Sequence, residues 1–117
     1  MNKPKLKEGE YYAGIILDKD DEPDYHLILL PGDKEDINWH EANKWASEIG
    51  GGLPNRREQS LLFANLKEQF KECAYWSNEQ HASNSDYAWC QIFGYGLQGA
   101  SNKGGYLRAR AVRRLPI

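Results

Sequence analysis

The chain has 117 residues, 40% of them hydrophobic, so it is long enough for one folded domain over residues 1–117 and too apolar to be disordered. Its net charge of −2 provides no overall positive field that would attract nucleic acid. No apolar stretch is long enough to span a membrane and the start lacks the apolar part of a secretory signal, so we expect a cytoplasmic protein.

Two β-rich runs come first along the chain, Tyr11–Leu17 and Tyr25–Leu30. The acidic segment Asp18–Asp24 between them is too polar to pack, which predicts the turn of an antiparallel hairpin. Its alternating carboxylates match the first ligand positions of a calcium-binding EF-hand loop. However, Pro23 stands where that loop needs glycine and Leu29 where it needs glutamate, so no metal site is expected.

Two short helices are predicted, each by an asparagine that precedes a glutamate by three residues, which is the spacing of a capping box. Asn38 and Glu41 start the first helix, and a run of three glycines ends it. Asn55 and Glu58 start the second helix, which we expect to end near Lys71–Glu72. Both segments carry an apolar stripe with a helical period.

The rest of the chain predicts three strands, Ala74–Ser77, Tyr87–Phe93 and Tyr106–Leu115. The two segments between them, Asn78–Asp86 and Gly94–Gly105, are rich in Gly, Asn and Ser and are predicted as long loops. The order β-β-α-α-β-β-β predicts an α+β fold with the helices on one side of an antiparallel sheet.

The last predicted strand alternates arginines with small or apolar residues. This alternation places Arg108 and Arg110 on the wetter face of the sheet. A solvated face with local ion pairs is one interpretation of these arginines, and a patch for an acidic partner is another. The net charge argues against nucleic acid as that partner.

No catalytic, metal-binding or cofactor-binding motif stands out in the sequence. His26, His40 and His81 lack the spacing of metal ligands. Cys73 and Cys90 are predicted to be free thiols, and neither is flanked by the motif of a nucleophile. Phosphate-binding loops and serine nucleophile motifs are absent, so we expect no enzymatic activity and no cofactor.

Aromatic residues are the most informative part of the composition. Most of the large ones fall at core-facing positions of the predicted elements: Trp39, Trp45, Trp76, Trp89, Phe63 and Phe70. Tyr95 and Tyr106 instead flank the second predicted loop, which also contains Gln98, Asn102 and Lys103. Aromatic residues beside amide side chains in a loop suit a polar ligand or a protein interface. The alternative is that each tyrosine folds back onto its own loop.

Several short motifs, taken in order, resemble the DUF1566 domains of bacterial and phage or prophage proteins. Those motifs are Gly9–Gly14, Tyr25–Gly32, Trp39–Ala46, Gly51–Glu58, Tyr75–Ser77, Tyr87–Trp89 and Arg108–Arg114. The resemblance implies a C-type-lectin-like fold, in which two helices pack beside a twisted antiparallel sheet and long loops before the last strands bind the ligand. The expected ligand-binding residues in those loops are Tyr95, Gln98, Asn102, Lys103, Tyr106, His81 and Asp86.

The sequence also departs from the functional members of related families. It lacks the Glu-Pro-Asn and Trp-Asn-Asp motifs of calcium-dependent lectins, and the cysteine pattern of formylglycine-generating enzymes. We therefore expect a non-enzymatic binding module, encoded by a phage or prophage, that recognises another protein in the host cytoplasm. The alternatives are calcium-independent glycan binding around Tyr95 and Gln98, and an enzyme or accessory related to sulfatase-modifying factors that uses Cys73 or Cys90. The oligomeric state stays open.

Overall fold

The chain is an α+β protein with two sheets and two helices. The computed structural model describes residues 3–17 and 23–117, and within them it contains eight strands, two α-helices and one 3₁₀ turn. In chain order these are β1 (Tyr11–Ile16), β2 (Tyr25–Leu29), β3 (Lys34–Ile37), α1 (Trp39–Glu48), α2 (Arg56–Leu66), a 3₁₀ helix (Lys67–Gln69), β4 (Ala74–Gln80), β5 (Tyr87–Ile92), β6 (Leu97–Asn102), β7 (Leu107–Ala109) and β8 (Val112–Pro116).

One sheet has three strands in the order β1-β2-β8, and the other has five in the order β3-β7-β4-β5-β6. All pairs are antiparallel except β4 with β7, which run parallel. The predicted hairpin of β1 and β2 is confirmed. Most of its acidic turn, residues 18–22, lies outside the described residues, and so do most of the carboxylates of the EF-hand comparison.

The two predicted helix starts are confirmed. The Asn38 side chain accepts a hydrogen bond from the Glu41 backbone N–H at 2.9 Å, and Asn55 does the same for Glu58 at 2.8 Å. The second helix is shorter than expected, because α2 ends at Leu66 and continues as the 3₁₀ turn to Gln69.

The helices cover opposite faces of the five-stranded sheet. Tyr75 and Trp76 are neighbours on β4, so their side chains point to opposite faces. Tyr75 belongs to the core cluster that contains Leu62 of α2, and Trp76 to the one that contains Ala42 of α1. The expectation of one sheet with both helices on the same side is therefore corrected: α2 packs with both sheets, and α1 packs on the far face of the larger one.

The aromatic residues expected in the core are buried to different degrees. Trp76 is fully buried, and its indole N–H donates to the Ile37 carbonyl at 2.9 Å. Phe70 is also buried and stacks on Phe93 with ring centroids 3.9 Å apart. The other members of that set, Trp39, Trp45, Trp89 and Phe63, are only partly buried.

The strands differ from the sequence prediction in four main ways. The expected loop Gly94–Gly105 contains β6, and β4 continues three residues beyond the predicted end into the first expected loop. The charged strand β3 was not predicted. The expected strand Tyr106–Leu115 is divided at Arg110–Ala111, where the chain leaves the five-stranded sheet as β7 and joins the three-stranded sheet as β8.

That division explains why the predicted wet position of Arg110 is wrong. Arg110 is 8% exposed, and its guanidinium donates to the carbonyls of Gln69 at 2.6 Å and Leu30 at 2.8 Å. Burial lowers the pKa of Arg110. The prediction of local ion pairs is confirmed for the other three arginines of this segment, through the pairs Arg108–Asp33, Arg113–Glu10 and Arg114–Glu58.

Glu58 forms a fully buried junction between α2 and the three-stranded sheet. Its two carboxylate oxygens each accept a hydrogen bond of 2.7 Å from the guanidinium of Arg114. The carboxylate also accepts from the Tyr25 hydroxyl at 2.6 Å and from the Asn55 backbone N–H at 2.8 Å. Every charged oxygen is thus hydrogen-bonded, which is the condition under which a buried carboxylate is tolerated.

Candidate functional site

An open cavity of about 460 Å³ lies where the start of α1 meets the turns that precede β5 and follow β6. Seven polar or charged side chains line it: Asn38, His40, Glu41, Ser85, Asp86, Asn102 and Lys103. We call this group the cavity surface. Both signs of charge are present, so the site suits a partner with mixed polar groups better than a simple anion or cation.

Backbone hydrogen bonds hold the three segments of the cavity surface together. The Trp39 backbone N–H donates to the Lys103 carbonyl at 3.1 Å, and the Lys103 N–H donates to the Asp86 carbonyl at 2.8 Å. The Trp39 indole N–H donates to the Ser77 carbonyl at 2.8 Å. The backbone therefore builds most of the scaffold of the cavity, which leaves the side chains of His40, Glu41 and Asp86 for a ligand.

Lys103 is the most constrained charge of the site. Its ammonium group lies 2.5 Å from the Gln80 side-chain oxygen and 4.5 Å from the centre of the Trp39 ring. Both contacts fix the position of the ammonium group. Asn102 is also fixed, because its side-chain oxygen accepts from the Gly104 N–H at 2.8 Å.

His40 and Glu41 contribute side chains from the first turn of α1. Both are exposed, and the His40 ring lies edge-on to Trp39 with the centroids 5.2 Å apart. Asn38 already satisfies the backbone N–H of Glu41, so the carboxylate of Glu41 is not needed for the cap. These two residues were not among the predicted site residues, because the capping-box pattern accounted for Glu41 and the lone histidine had no spacing partner.

Exposed tyrosines flank the cavity surface. Tyr87 follows Asp86 and pairs with Asn102 across β5 and β6. Tyr106 is 67% exposed and lies two residues beyond Gly104. Tyrosine provides a large contact area with one polar group and is enriched at the energetic centres of protein interfaces.

The structure brings together part of the predicted ligand-binding set. Asp86, Asn102 and Lys103 line one cavity, and Tyr106 lies two residues beyond Gly104, which also lines it. Tyr95 is 81% exposed but lies at the opposite end of β6. At about 3.3 Å per residue, the length of β6 separates the turn that contains Tyr95 from the turn that contains Lys103 by roughly 17 Å. The two tyrosines therefore do not belong to one site.

Gln98 does not face the cavity surface. Its side-chain amide donates to the Arg56 carbonyl at 2.8 Å and to the Gln91 side-chain oxygen at 3.1 Å, and its oxygen accepts from the Arg56 Nε at 2.9 Å. These bonds tie β6 to the start of α2. The position of Gln98 is therefore explained by the fold.

His81 also makes contacts away from the cavity surface. Its ring stacks on Trp89 with the centroids 5.0 Å apart, and its Nδ1 accepts from the Ser83 N–H at 3.1 Å. The Arg56 guanidinium lies 3.6 Å from the centre of a Trp89 ring. Arg56 and His81 therefore both contact the ring of Trp89, which could otherwise stack on a ligand.

The two cysteines are separate thiols, as predicted. Cys73 is exposed and Cys90 is buried. Burial raises the pKa of the Cys90 thiol, which lowers its thiolate fraction and its reactivity. Among the described residues, no group of three His, Cys, Asp or Glu side chains is arranged to hold a metal ion.

Neither helix in the part of the chain that the structure describes is long and apolar enough to cross a membrane.

Comparison with known proteins identifies no relative of this chain. No protein-family model, no curated protein and no solved structure matches the chain.

Proposed function

We propose that the chain is a non-enzymatic binding module that recognises another protein through the cavity surface and the tyrosines beside it. The observation that carries the proposal is that backbone hydrogen bonds from Trp39 and Lys103 lock three separate segments together. The side chains of His40, Glu41 and Asp86 then point into an open cavity. Preorganised polar groups beside exposed tyrosines give a protein partner both specificity and contact area.

The proposal extends to the fold family and the setting. We propose a C-type-lectin-like domain of the DUF1566 type, encoded by a phage or prophage and acting in the host cytoplasm. Two features support it. The fold has two helices packed against mostly antiparallel sheets, and the turns before β5 and β7 meet at the cavity surface, where such a fold is expected to bind its ligand.

The alternatives have less support. A glycan site around Tyr95 and Gln98 would use an amide that is already bonded to Arg56 and Gln91. An enzyme that used Cys90 would need a buried thiol of raised pKa to act as a nucleophile.

Affinity capture from bacterial lysate tests the proposed function. The cavity variant carries Glu41→Lys and Asp86→Lys, and the control carries Glu48→Lys and Glu68→Lys, which change two exposed carboxylates elsewhere by the same total charge. We expect the wild type and the control to capture the same partner. The cavity variant should lose at least about tenfold in affinity, because charge reversal at a hot spot costs 2 kcal/mol or more.

Two outcomes would contradict the proposal. One is a cavity variant that captures the partner as well as the control does. The other is a wild type that captures nothing above the level of an unrelated domain of equal charge. Circular dichroism of all three proteins verifies that the substitutions leave the fold intact.

A further inference from the structure

The outer edge of β6 is open. β6 ends the five-stranded sheet, and no strand within residues 3–17 and 23–117 pairs with its outer side. It pairs with β5 over six consecutive residues without a register shift. Its sequence, Leu-Gln-Gly-Ala-Ser-Asn, contains no charge and no proline. A regular, uncharged edge strand of this kind is able to pair with a strand of another chain.

At the opposite edge of the same sheet, β3 carries the features that usually prevent such pairing. It has four residues, of which Lys34, Glu35 and Asp36 are exposed and charged. Asp36 has a φ of 52°, and the register with β7 shifts between Lys34 and Ile37. Charge and irregular backbone both disfavour an added strand.

The edges of the three-stranded sheet are protected in other ways. β1 has a bulge between Tyr12 and Gly14, and α2 covers it: the Asn65 side chain donates to the Ala13 carbonyl at 2.6 Å. On β8, Val112 exchanges backbone hydrogen bonds with Gly52, and the strand ends in a proline. Of the four edges in the described chain, only β6 has none of these protections.

The hydrogen bonds of the β5–β6 ladder identify the groups that β6 presents outward. The Lys103 N–H donates to the Asp86 carbonyl at 2.8 Å, so Lys103 and Asp86 form a hydrogen-bonded pair, in which the backbone groups of Lys103 point toward β5. Bonded and non-bonded pairs alternate along an antiparallel ladder. The backbone groups of Gln98, Ala100 and Asn102 therefore point away from β5, and of these the Asn102 carbonyl already accepts a hydrogen bond from the Gly105 N–H at 2.9 Å.

Gly99, in the middle of β6, has no explanation within a single chain. Its φ is not positive, and a Cβ built at this position would meet nothing within 4 Å. A glycine inside a strand destabilises it by about 0.5–1 kcal/mol relative to alanine. Glycine at such a position often marks a place where another backbone approaches closely.

We propose that a second copy of this chain pairs with β6 in antiparallel orientation, on a two-fold axis at Ala100. In this register Ala100 faces its own counterpart, and Gln98 faces Asn102 of the second copy. The Gln98 carbonyl accepts from the Asn102 N–H of the second copy, and the Gln98 N–H donates to the second lone pair of that residue's carbonyl, whose first is taken by Gly105. Gly99 then faces Ser101 of the second copy in a non-bonded pair, where facing side chains lie closest. The absence of a side chain at Gly99 leaves space for that serine.

The same register accounts for the exposed apolar residues at the two ends of β6. Leu97, which is 62% exposed, faces the aliphatic stem of Lys103 of the second copy. Tyr95 lies in the turn before β6, and Tyr106 follows the turn after it, so the antiparallel arrangement brings Tyr95 of one copy to the same end of the strand pair as Tyr106 of the other. The two most exposed tyrosines, which are far apart in one chain, are thus placed at the same end of the shared strand pair, where tyrosines are able to pack on each other.

A five-residue strand pair with two tyrosines at each end buries less surface than a standard protein interface. We therefore expect a micromolar, concentration-dependent dimer and not a permanent one. The two five-stranded sheets would become one continuous sheet across the two-fold axis.

Sedimentation velocity over a range from about 1 µM to 1 mM tests the proposal, since this range brackets micromolar affinity. We expect the wild type to shift from monomer to dimer, and the single variants Ala100→Lys and Ala100→Glu each to stay monomeric, because like charges then face each other on the axis. An equimolar mixture of the two variants should dimerise again. Ala82→Lys, which adds the same charge on an exposed turn, should behave as the wild type does.

A wild type that stays monomeric at 1 mM would overturn the proposal. So would dimerisation that persists in both single Ala100 variants, or a mixture that fails to restore it. Hydrogen exchange supplies a second measurement: protection of the Ala100 amide should increase with protein concentration, while the amide of Gly99, bonded within the chain, should not change. The Ala100 variants leave the cavity surface intact, so they report on the dimer separately from partner capture.

Discussion

The two helix starts share the pattern Asn-x-x-Glu and differ in what their glutamates do. At α1, Asn38 caps the helix alone, and Glu41 extends into the cavity. At α2, Asn55 and Glu58 form a reciprocal capping box, and Glu58 is also the buried partner of Arg114. The same local pattern thus serves a binding surface at one helix and the stability of the core at the other.

The difference arises from what lies opposite each helix start. α2 begins between the sheets, where Tyr25 and Arg114 approach its first turn. α1 begins at the edge of the larger sheet, and its first turn faces an open cavity. A capping pattern therefore predicts where a helix begins, but not whether its glutamate is available to a partner.

The largest expected effect comes from neutralising the buried glutamate. Glu58→Gln leaves the guanidinium of Arg114 without a charged partner, and we expect it to lower the free energy of unfolding by about 3–5 kcal/mol. The matched change Glu41→Gln should alter it by less than about 0.5 kcal/mol, because that side chain is exposed. Urea unfolding of both variants measures the contrast, and equal effects would show that the two starts do not differ as described.

A smaller effect is expected at alkaline pH. Burial, together with the hydrogen bond to Glu58, raises the pKa of Tyr25 to about 12. The unfolded chain loses this proton near pH 10 and the folded chain near pH 12, so stability falls as the pH rises between these values. After allowance for partial exposure, we expect a loss of about 1 kcal/mol.

A variant of Tyr25 shows how much of that loss of stability is due to this residue. Tyr25→Phe should make the dependence of unfolding free energy on pH shallower between pH 10 and 12. Burial and the hydrogen bond to Asp33 also raise the pKa of Tyr75 to about 12, so part of the slope should remain in that variant. An unchanged slope in Tyr25→Phe would mean that the phenol ionises alike in the folded and unfolded chains.

The smallest expected contrast concerns the caps themselves. Asn55→Ala removes an acceptor inside a buried network and should destabilise the protein by about 1.5 kcal/mol, whereas Asn38→Ala should cost about 0.5–1 kcal/mol at an exposed helix start. Thermal unfolding of the two variants measures the difference. A larger loss for Asn38→Ala would indicate that α1 contributes more to stability than its exposed start suggests.

Local signals in the sequence predicted the helices and the first hairpin correctly. Asn38 and Asn55 are caps, and the β-branched and aromatic runs around Ile15 and Ile28 are strands. These features depend on interactions within a few residues, which a single sequence contains. The fold class, α+β, follows from them.

Features that depend on distant partners were not predicted. Gly, Ser and Asn in β6 are typical of loops, and they form a strand because β5 offers a complete ladder. β3 is charged and forms because β7 lies beside it. The burial of Glu58 depends on Arg114, which follows 56 residues later, and no local pattern records that pairing.

The candidate site was predicted in part for the same reason. Loop composition identified Asp86, Asn102 and Lys103, which do line one cavity. It also included Tyr95 and Gln98, since it could not show that β6 separates them from the rest. His40 and Glu41 were missed because their approach to Lys103 depends on how α1 docks on the sheet.

The division of the last strand at Arg110–Ala111 has a consequence for how the fold is acquired. β7 fills an interior position of one sheet and β8 completes the other, so neither sheet can close before residues 107–116 are in place. While the chain is being synthesised, the apolar surface of the earlier strands therefore stays exposed until residues 107–116 have been added. The final closure joins segments that are distant in sequence, which is the slow kind of folding step.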